Sequence, residues 1–419
     1  MGDRQEEEES HVHFWGNTPE QDYYALQGVR GSSSYFTSPR GLKLFTRSWL
    51  PLSSEDSPPR ALVFMVHGYG NDISWTFQAT AIFLARHGFA CFALDLQGHG
   101  GSEGLRAFVP SVDLAVQDCL SFFNSVKRDS RFQTPGLPLP PSFLYGESMG
   151  GAICLLIHLA DPLGFDGAVL VAPMCKISDN LKPRWPIPQI LTQFARFFPT
   201  LAIVPTEDLM RKSVKVEEKK IVADRNPRRY RGKPRLGTVV ELLRVTEYLS
   251  GRLSEVKLPF IVLHGSADAV TDPEVSRALY AEAKSDDKTV RIYEGMMHSL
   301  LFGETDENVE IPKQRNGSGY ITHGERQNGA LPSFPPSGQK YGKSLSPILE
   351  AGDGDGFEDR DRNASHSPPP PCCHGKLETH WFALKFSTRW IREGKNQKRN
   401  IKMVINLPGS DICFDRIGF

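Results

Sequence analysis

The apolar positions of this chain fall into two kinds of pattern. Short continuous runs at 61–66, 90–94, 142–145, 168–171, 260–264 and 290–293 are rich in Val, Ile, Leu and Phe. Continuous rather than alternating apolar runs suit strands buried on both faces of a parallel sheet. Between these runs, 76–87, 112–126, 151–159 and 272–283 space their apolar residues at helical intervals. Pro273 directly after Asp272 fits the first turn of a helix, where a proline's missing N–H costs nothing. Residues 34–51 read as a β-hairpin around Pro39-Arg40-Gly41. The alternation of strand and helix predicts an α/β fold with a doubly wound, mostly parallel sheet.

Two regions break the alternation. Residues 174–251 carry no strand pair and are punctuated by Pro183, Pro186, Pro188, Pro199 and Pro205. They follow the sixth strand, where a helical cap is expected between core segments 34–173 and 252–311. Within it, 187–201 is apolar with only Arg196 charged, and 182–235 holds 14 Lys and Arg against 5 Asp and Glu. An apolar helix with a basic flank has the make-up of an element that lies on a membrane surface. A cap helix packed on the core with a solvated basic face has the same composition. The second break is the tail, 312–419. As far as about residue 378 it is rich in Gly, Ser, Pro and Asn, a composition that buries too little apolar surface to offset chain entropy. Beyond that, Phe382, Phe386 and Trp390 stand four apart, which predicts one amphipathic helix over 379–392. At the other end, residues 1–33 are polar and acidic and are expected to lack fixed structure.

Composition narrows the function. Lys plus Arg equal Asp plus Glu at 49 each, with pI near 7.2, so no global field favours nucleic acid. No run of about 18 apolar residues predicts a transmembrane helix. The acidic start, Glu6 to Glu9, is unlike a basic leader. Gly2 is followed at position 6 by Glu rather than Ser or Thr, so a myristoylation motif is not met. Cys91, Cys119, Cys154 and Cys175 lie in apolar stretches and read as small core residues. Cys372-Cys373-His374 lacks zinc-ligand spacing. The expectation is a cytoplasmic protein, attached to intracellular membranes peripherally if at all.

The chemistry centres on Gly146-Glu147-Ser148-Met149-Gly150, a G-x-S-x-G run between a strand-like and a helix-like stretch. A serine there sits on a sharp strand-to-helix turn with its hydroxyl presented as a nucleophile. Such a serine needs a base and an acid that orients it, in the chain order Ser, Asp or Glu, His. Asp268 and His298 each fall in a loop directly after a strand, the position where ligand sites lie in open α/β sheets. Asp272 is an alternative acid but precedes Pro273 and reads as a helix cap; Asp95 also follows a strand and reads as structural. His67, His99 and His264 follow strands too, yet only His298 follows the acid in the required order. Negative charge on a tetrahedral intermediate needs two backbone donors, assigned to Met149 N–H and to Tyr69 N–H in His67-Gly68-Tyr69-Gly70. The turn from Gln97 to Gly104 is glycine-rich but has neither phosphate-loop spacing. His67-x4-Asp72 matches the H-x4-D spacing of some acyltransferases, a pair that recurs easily by chance.

Together, Met65 to Asp72, Leu94 to Gly104, Gly146 to Gly151, Ala172-Pro173-Met174-Cys175-Lys176, His264 to Asp268 and Gly295-Met296-Met297-His298 resemble plant monoacylglycerol lipase-like α/β-hydrolases, related to the lysophospholipase and caffeoylshikimate esterase branch. The resemblance spans roughly 34–311. It implies an α/β-hydrolase fold with a cap over the site. It also implies a serine esterase that hydrolyses monoacylglycerol or a related lipid ester through Ser148, Asp268 and His298, with no metal or organic cofactor. An acyltransferase, a small-molecule ester hydrolase and a non-catalytic ligand-binding protein on the same scaffold remain alternatives. The chain departs from the family after His298. Residues 304–311 look like the family's aspartate-rich segment, and then the tail replaces the closing helix unless 379–392 supplies it.

Overall fold

The computed structural model describes residues 13–52, 58–133, 138–176, 187–204, 209–305, 383–393, 396–407 and 410–415. A first helix, α1 (Glu20–Leu26), leads into the hairpin β1 (Val29–Thr37) and β2 (Lys43–Pro51). Strands and helices then alternate through β3 (Leu62–Val66), α2 (Gln78–Arg86), β4 (Ala90–Leu94), α3 (Val112–Lys127), β5 (Ser142–Glu147), α4 (Met149–Ala160) and β6 (Gly167–Val171). Among the described residues, helices α5 (Ile187–Phe197), α6 (Leu209–Ser213), α7 (Glu217–Asp224) and α8 (Leu236–Ser250) follow. The pattern closes with β7 (Phe260–Gly265), α9 (Pro273–Glu282) and β8 (Lys288–Tyr293).

The eight strands form one sheet in the order β1-β2-β4-β3-β5-β6-β7-β8. β1, β2 and β4 pair antiparallel, and every other neighbour pair is parallel. Because β4 lies on one side of β3 and β5 on the other, the winding reverses at β3. The crevice that such a reversal leaves at the carboxyl ends of the strands is where ligands bind in open sheets. Alternation along β3 feeds two cores. Leu62, Phe64 and Val66 belong to the core with α3, α4, α8 and α9, while Val63 and Met65 belong to the core with α1 and α2. All five are buried, each side chain worth roughly 1.5–3 kcal/mol against exposure.

The structure corrects three expectations. Residues 13–33 are folded, with α1 and the start of β1 among them. Trp15 stacks on Tyr23 with centroids 4.0 Å apart, and buried Tyr24 donates to Gln78 Oε1 at 2.6 Å while Arg47 pairs with Glu20. A Cβ on Gly31 would stand 2.1 Å from the Tyr24 ring, so this glycine lets the helix seat. Local aromatic burial here outweighs the acidic composition. Second, α8 lies within 174–251, expected as cap, yet Val245 and Leu249 sit in the main core and Glu241 accepts the Val112 N–H at 2.7 Å. Third, no helix forms over 383–392. Ala383–Glu393 is a strand, β9, antiparallel to β10 (Asn396–Leu407), which pairs in turn with β11 (Ser410–Asp415) in a separate sheet. A spacing of four is even, so the sequence pattern fits the period of a strand as readily as that of a helix. Residues 1–12, 177–186, 306–311 and 312–382 lie outside the described residues.

Candidate active site

The carboxyl end of β5 turns into α4 at Ser148, which has φ 53° and ψ −117°. An L-residue in that region is strained and is held there only by its surroundings. The Ser148 N–H donates to Val171 O at 2.9 Å, and the Ser148 carbonyl accepts from Met174 N at 3.0 Å and Gly151 N at 3.0 Å. The flanking glycines are steric requirements: a Cβ on Gly146 would lie 2.5 Å from Gly150 O, and one on Gly150 would lie 2.1 Å from Val66 O. Ser148 occupies the N-cap position of α4, yet its hydroxyl makes no capping bond. The turn therefore spares the Oγ a role that serine commonly fills at this position. Ser148 and His298 both line a cleft of about 480 Å3 at the carboxyl ends of β3, β5 and β7.

Asp268 and His298 meet as the chain order required. Asp268 Oδ2 lies 2.6 Å from His298 Nδ1. The other carboxylate oxygen, Oδ1, accepts the N–H groups of Val270 at 2.7 Å and Thr271 at 3.0 Å. Burial pushes the Asp268 carboxyl up, but donation from His264 and His298 prevails and holds it well below the usual carboxylate range. An ionised carboxylate only accepts, so the His298 proton sits on Nδ1 and Nε2 is left as the ring's base.

The other histidines that follow strands, His67, His99 and His264, are all buried. His264 is fully buried, with Nε2 facing Thr271 O at 2.9 Å and Asp268 Oδ2 at 3.0 Å, and Nδ1 facing Ser276 Oγ at 2.7 Å. Both Nε2 partners are acceptors, so Nε2 carries the proton and His264 supports the acid. His67 Nδ1 is 2.8 Å from Gly68 O and Nε2 accepts the Leu96 N–H at 3.0 Å, which fixes a neutral ring; burial lowers its pKa. Asp72, its H-x4-D companion, instead accepts from Ser74 N at 2.7 Å and Asn226 Nδ2 at 2.5 Å. His99 is buried and pushed down to about 3. Asp272 caps α9 by accepting the Glu274 N–H at 2.9 Å. Asp95 is buried and accepts from Ile73 N and Gly101 N, both at 2.8 Å. No hydrogen bond among the described residues uses the N–H of Tyr69 or Met149. The Tyr69 hydroxyl donates to Ala107 O at 3.1 Å.

Two supporting residues escaped the sequence reading. Thr271 Oγ1 stands 2.9 Å from Asp268 Oδ2 and 3.1 Å from His298 Nδ1. Its position three residues after the acid, at a turn whose N–H groups bind that acid, is a local signal that was present. Glu304 is buried and accepts the Met297 N–H at 2.6 Å, while Lys219 Nζ donates to its carbonyl at 2.6 Å. It thereby ties the His298 loop to α7, a contact between distant segments with no local signature. No group of three or more His, Cys, Asp or Glu side chains that could hold a metal occurs among the described residues.

Residues 57–306 match the family described as serine aminopeptidase, S33 (Hydrolase_4). The chain is 42% identical to the caffeoylshikimate esterase of Arabidopsis thaliana over 71% of this chain and 87% of that protein. It is 32% identical to the monoglyceride lipase of Homo sapiens over 66% of this chain and 84% of that protein. A soluble variant of monoglyceride lipase from Saccharomyces cerevisiae, solved in complex with a substrate analog, superposes with TM-score 0.56 at 22% identity, over 66% of this chain and 90% of that one. The chain belongs to this S33 family of α/β-hydrolases, in its monoacylglycerol lipase-like branch of carboxylic ester hydrolases.

Proposed function

We propose that this ester hydrolase cleaves monoacylglycerol or a related lipid ester through Ser148, His298 and Asp268 with an acyl-enzyme between two half-reactions. The observation that carries the reading is a strained, uncapped Ser148 opening on the same cleft as His298, whose Nδ1 is held by Asp268 at 2.6 Å. His298 Nε2 takes the Ser148 proton as Oγ bonds to the ester carbon, then passes it to the leaving alcohol as the C–O bond breaks. Water, deprotonated by the same nitrogen, releases the acid and restores the serine. The Tyr69 and Met149 N–H groups are proposed to hold the oxyanion. Met149 opens the 12-residue helix α4, whose dipole also favours negative charge at that end.

A second reading, an ester of a small hydroxylated acid, is favoured by the higher identity to the Arabidopsis protein named caffeoylshikimate esterase. The chain and its Ser148→Ala variant, assayed on a medium-chain monoacylglycerol and on a hydroxycinnamoyl ester, test both. Turnover of the first that vanishes in the variant supports the lipase reading, and turnover of the second alone supports the other. Turnover that survives in Ser148→Ala overturns the nucleophile.

A lipid substrate also motivates peripheral membrane contact through α5. Ile187 and Ile190 are 50% exposed, Phe194 56% and Phe197 75%, all on one helix face. Among the described residues no helix is long and apolar enough to cross a membrane. A cytoplasmic setting is proposed alongside, on the four buried free thiols of Cys91, Cys119, Cys154 and Cys175.

A further inference from the structure

Glu147 is the one ionisable side chain beside the nucleophile that acyl transfer leaves without a task. Along 142–150 only Glu147 and Ser148 are partly exposed, and both line the cleft. The walls near them include Phe77, Val171, Leu300 and Leu301, all buried and apolar. Glu147 Oε1 accepts the hydroxyl of Tyr145, a buried side chain that also bonds Thr80, itself a cleft residue. No group among the described residues donates to Glu147 Oε2. A carboxyl in an apolar wall costs free energy unless its oxygens are satisfied. Here one oxygen is held by Tyr145, and the side chain it belongs to lines the cleft beside Ser148.

We propose that Glu147, oriented by Tyr145, selects esters that carry a free hydroxyl, accepting that hydroxyl's proton in a hydrogen bond from within the cleft. The inference rests on the ester hydrolase reading and names the substrate feature that the site recognises. Burial pushes the Glu147 carboxyl up, offset in part by the Tyr145 hydroxyl and by nearby His298. The hydroxyl has two chemical sources, a phenol on the acyl group or an alcohol on the leaving group.

The test measures kcat and KM for the full chain on two matched pairs, methyl 4-hydroxycinnamate against methyl cinnamate and 1-monooctanoylglycerol against ethyl octanoate. The wild-type chain is expected to prefer the hydroxylated member of one pair, and that pair identifies the source. In Glu147→Leu the preference falls by about ten- to a hundredfold, the size of a hydrogen bond to a charged acceptor, and the loss appears in KM. Glu147→Gln keeps the side-chain shape but turns a donor toward the cleft, and Tyr145→Phe frees the carboxyl to rotate; each gives a smaller loss of preference. If Glu147→Leu melts early, these two variants carry the test. Equal losses on both members of each pair would make Glu147 merely structural and overturn the proposal, as would a wild-type chain without preference in either pair. Absence of turnover on all four esters strikes the ester reading first and this inference with it.

Discussion

At the scale of single residues, the candidate site depends on a few hydrogen bonds that hold one imidazole. Asp268 fixes the His298 tautomer, and Thr271 Oγ1 touches both partners. Asp268→Asn removes the charge and the tautomer preference together, and kcat is expected to fall by roughly 10⁴-fold, the effect of that change in known serine triads. Thr271→Val is nearly isosteric and removes one hydroxyl, so kcat is expected to fall by about tenfold, one charged hydrogen bond, with KM little changed. Steady-state kinetics on a turned-over ester checks both, and equal losses in the two variants would contradict this division of labour. The placement of Ser148, Asp268 and His298 at strand ends was legible because each follows an apolar run in the sequence. Thr271 and His264 are supporting residues whose roles come from partners brought together by the turn after β7, and order along the chain alone does not report them. The same limit hid Glu304, which meets Met297 only once the loop has closed.

At the scale of elements, periodicity read well wherever packing agreed with it. The six apolar runs became strands, and the hairpin over 34–51 formed with strands beginning at Val29. It failed where two periods coincide, as at Phe386 and Trp390, and where tertiary burial overrides composition, as at Tyr24. It also could not separate a cap helix from a core helix, because α5 and α8 are both apolar on one side. Their surroundings differ. α8 buries Val245 and Leu249, whereas α5 leaves Ile187, Ile190, Phe194 and Phe197 exposed at intervals of three and four. Such a face, next to a segment with nine more positive than negative charges between 182 and 235, is built like a surface-lying amphipathic helix. The full chain is expected to float with anionic liposomes, and Phe194→Asp with Phe197→Asp to lose most of that binding. Turnover of a short water-soluble ester should survive the pair of changes. Flotation that is equal for both proteins, or absent from both, removes the membrane role of α5.

At the scale of the whole molecule, the segment after β3, the loop after β4 and the cap meet on a buried pair of acids. Asp72 accepts from Asn226 of the cap, and Asp95 accepts from Ile73 and Gly101. Burial, reinforced by the Asp72 charge, pushes Asp95 up to about 7, from an ordinary value near 3.8. Between those two values the folded chain keeps a proton on Asp95 that the unfolded chain has lost. Stability from this group is therefore largest on the acid side and declines as pH rises through the window. Buried histidines act the other way: His67 and His99 have folded values below 6.5, so their contribution is lost as pH falls below that point. A pH profile of the wild-type chain alone mixes the two. The difference between wild type and Asp95→Asn cancels the histidines, since both proteins contain them. Urea unfolding is expected to show the variant most destabilised relative to wild type at pH 5, with the gap narrowing steadily to pH 8. A gap that stays constant would mean that Asp95 is ionised in the folded chain throughout.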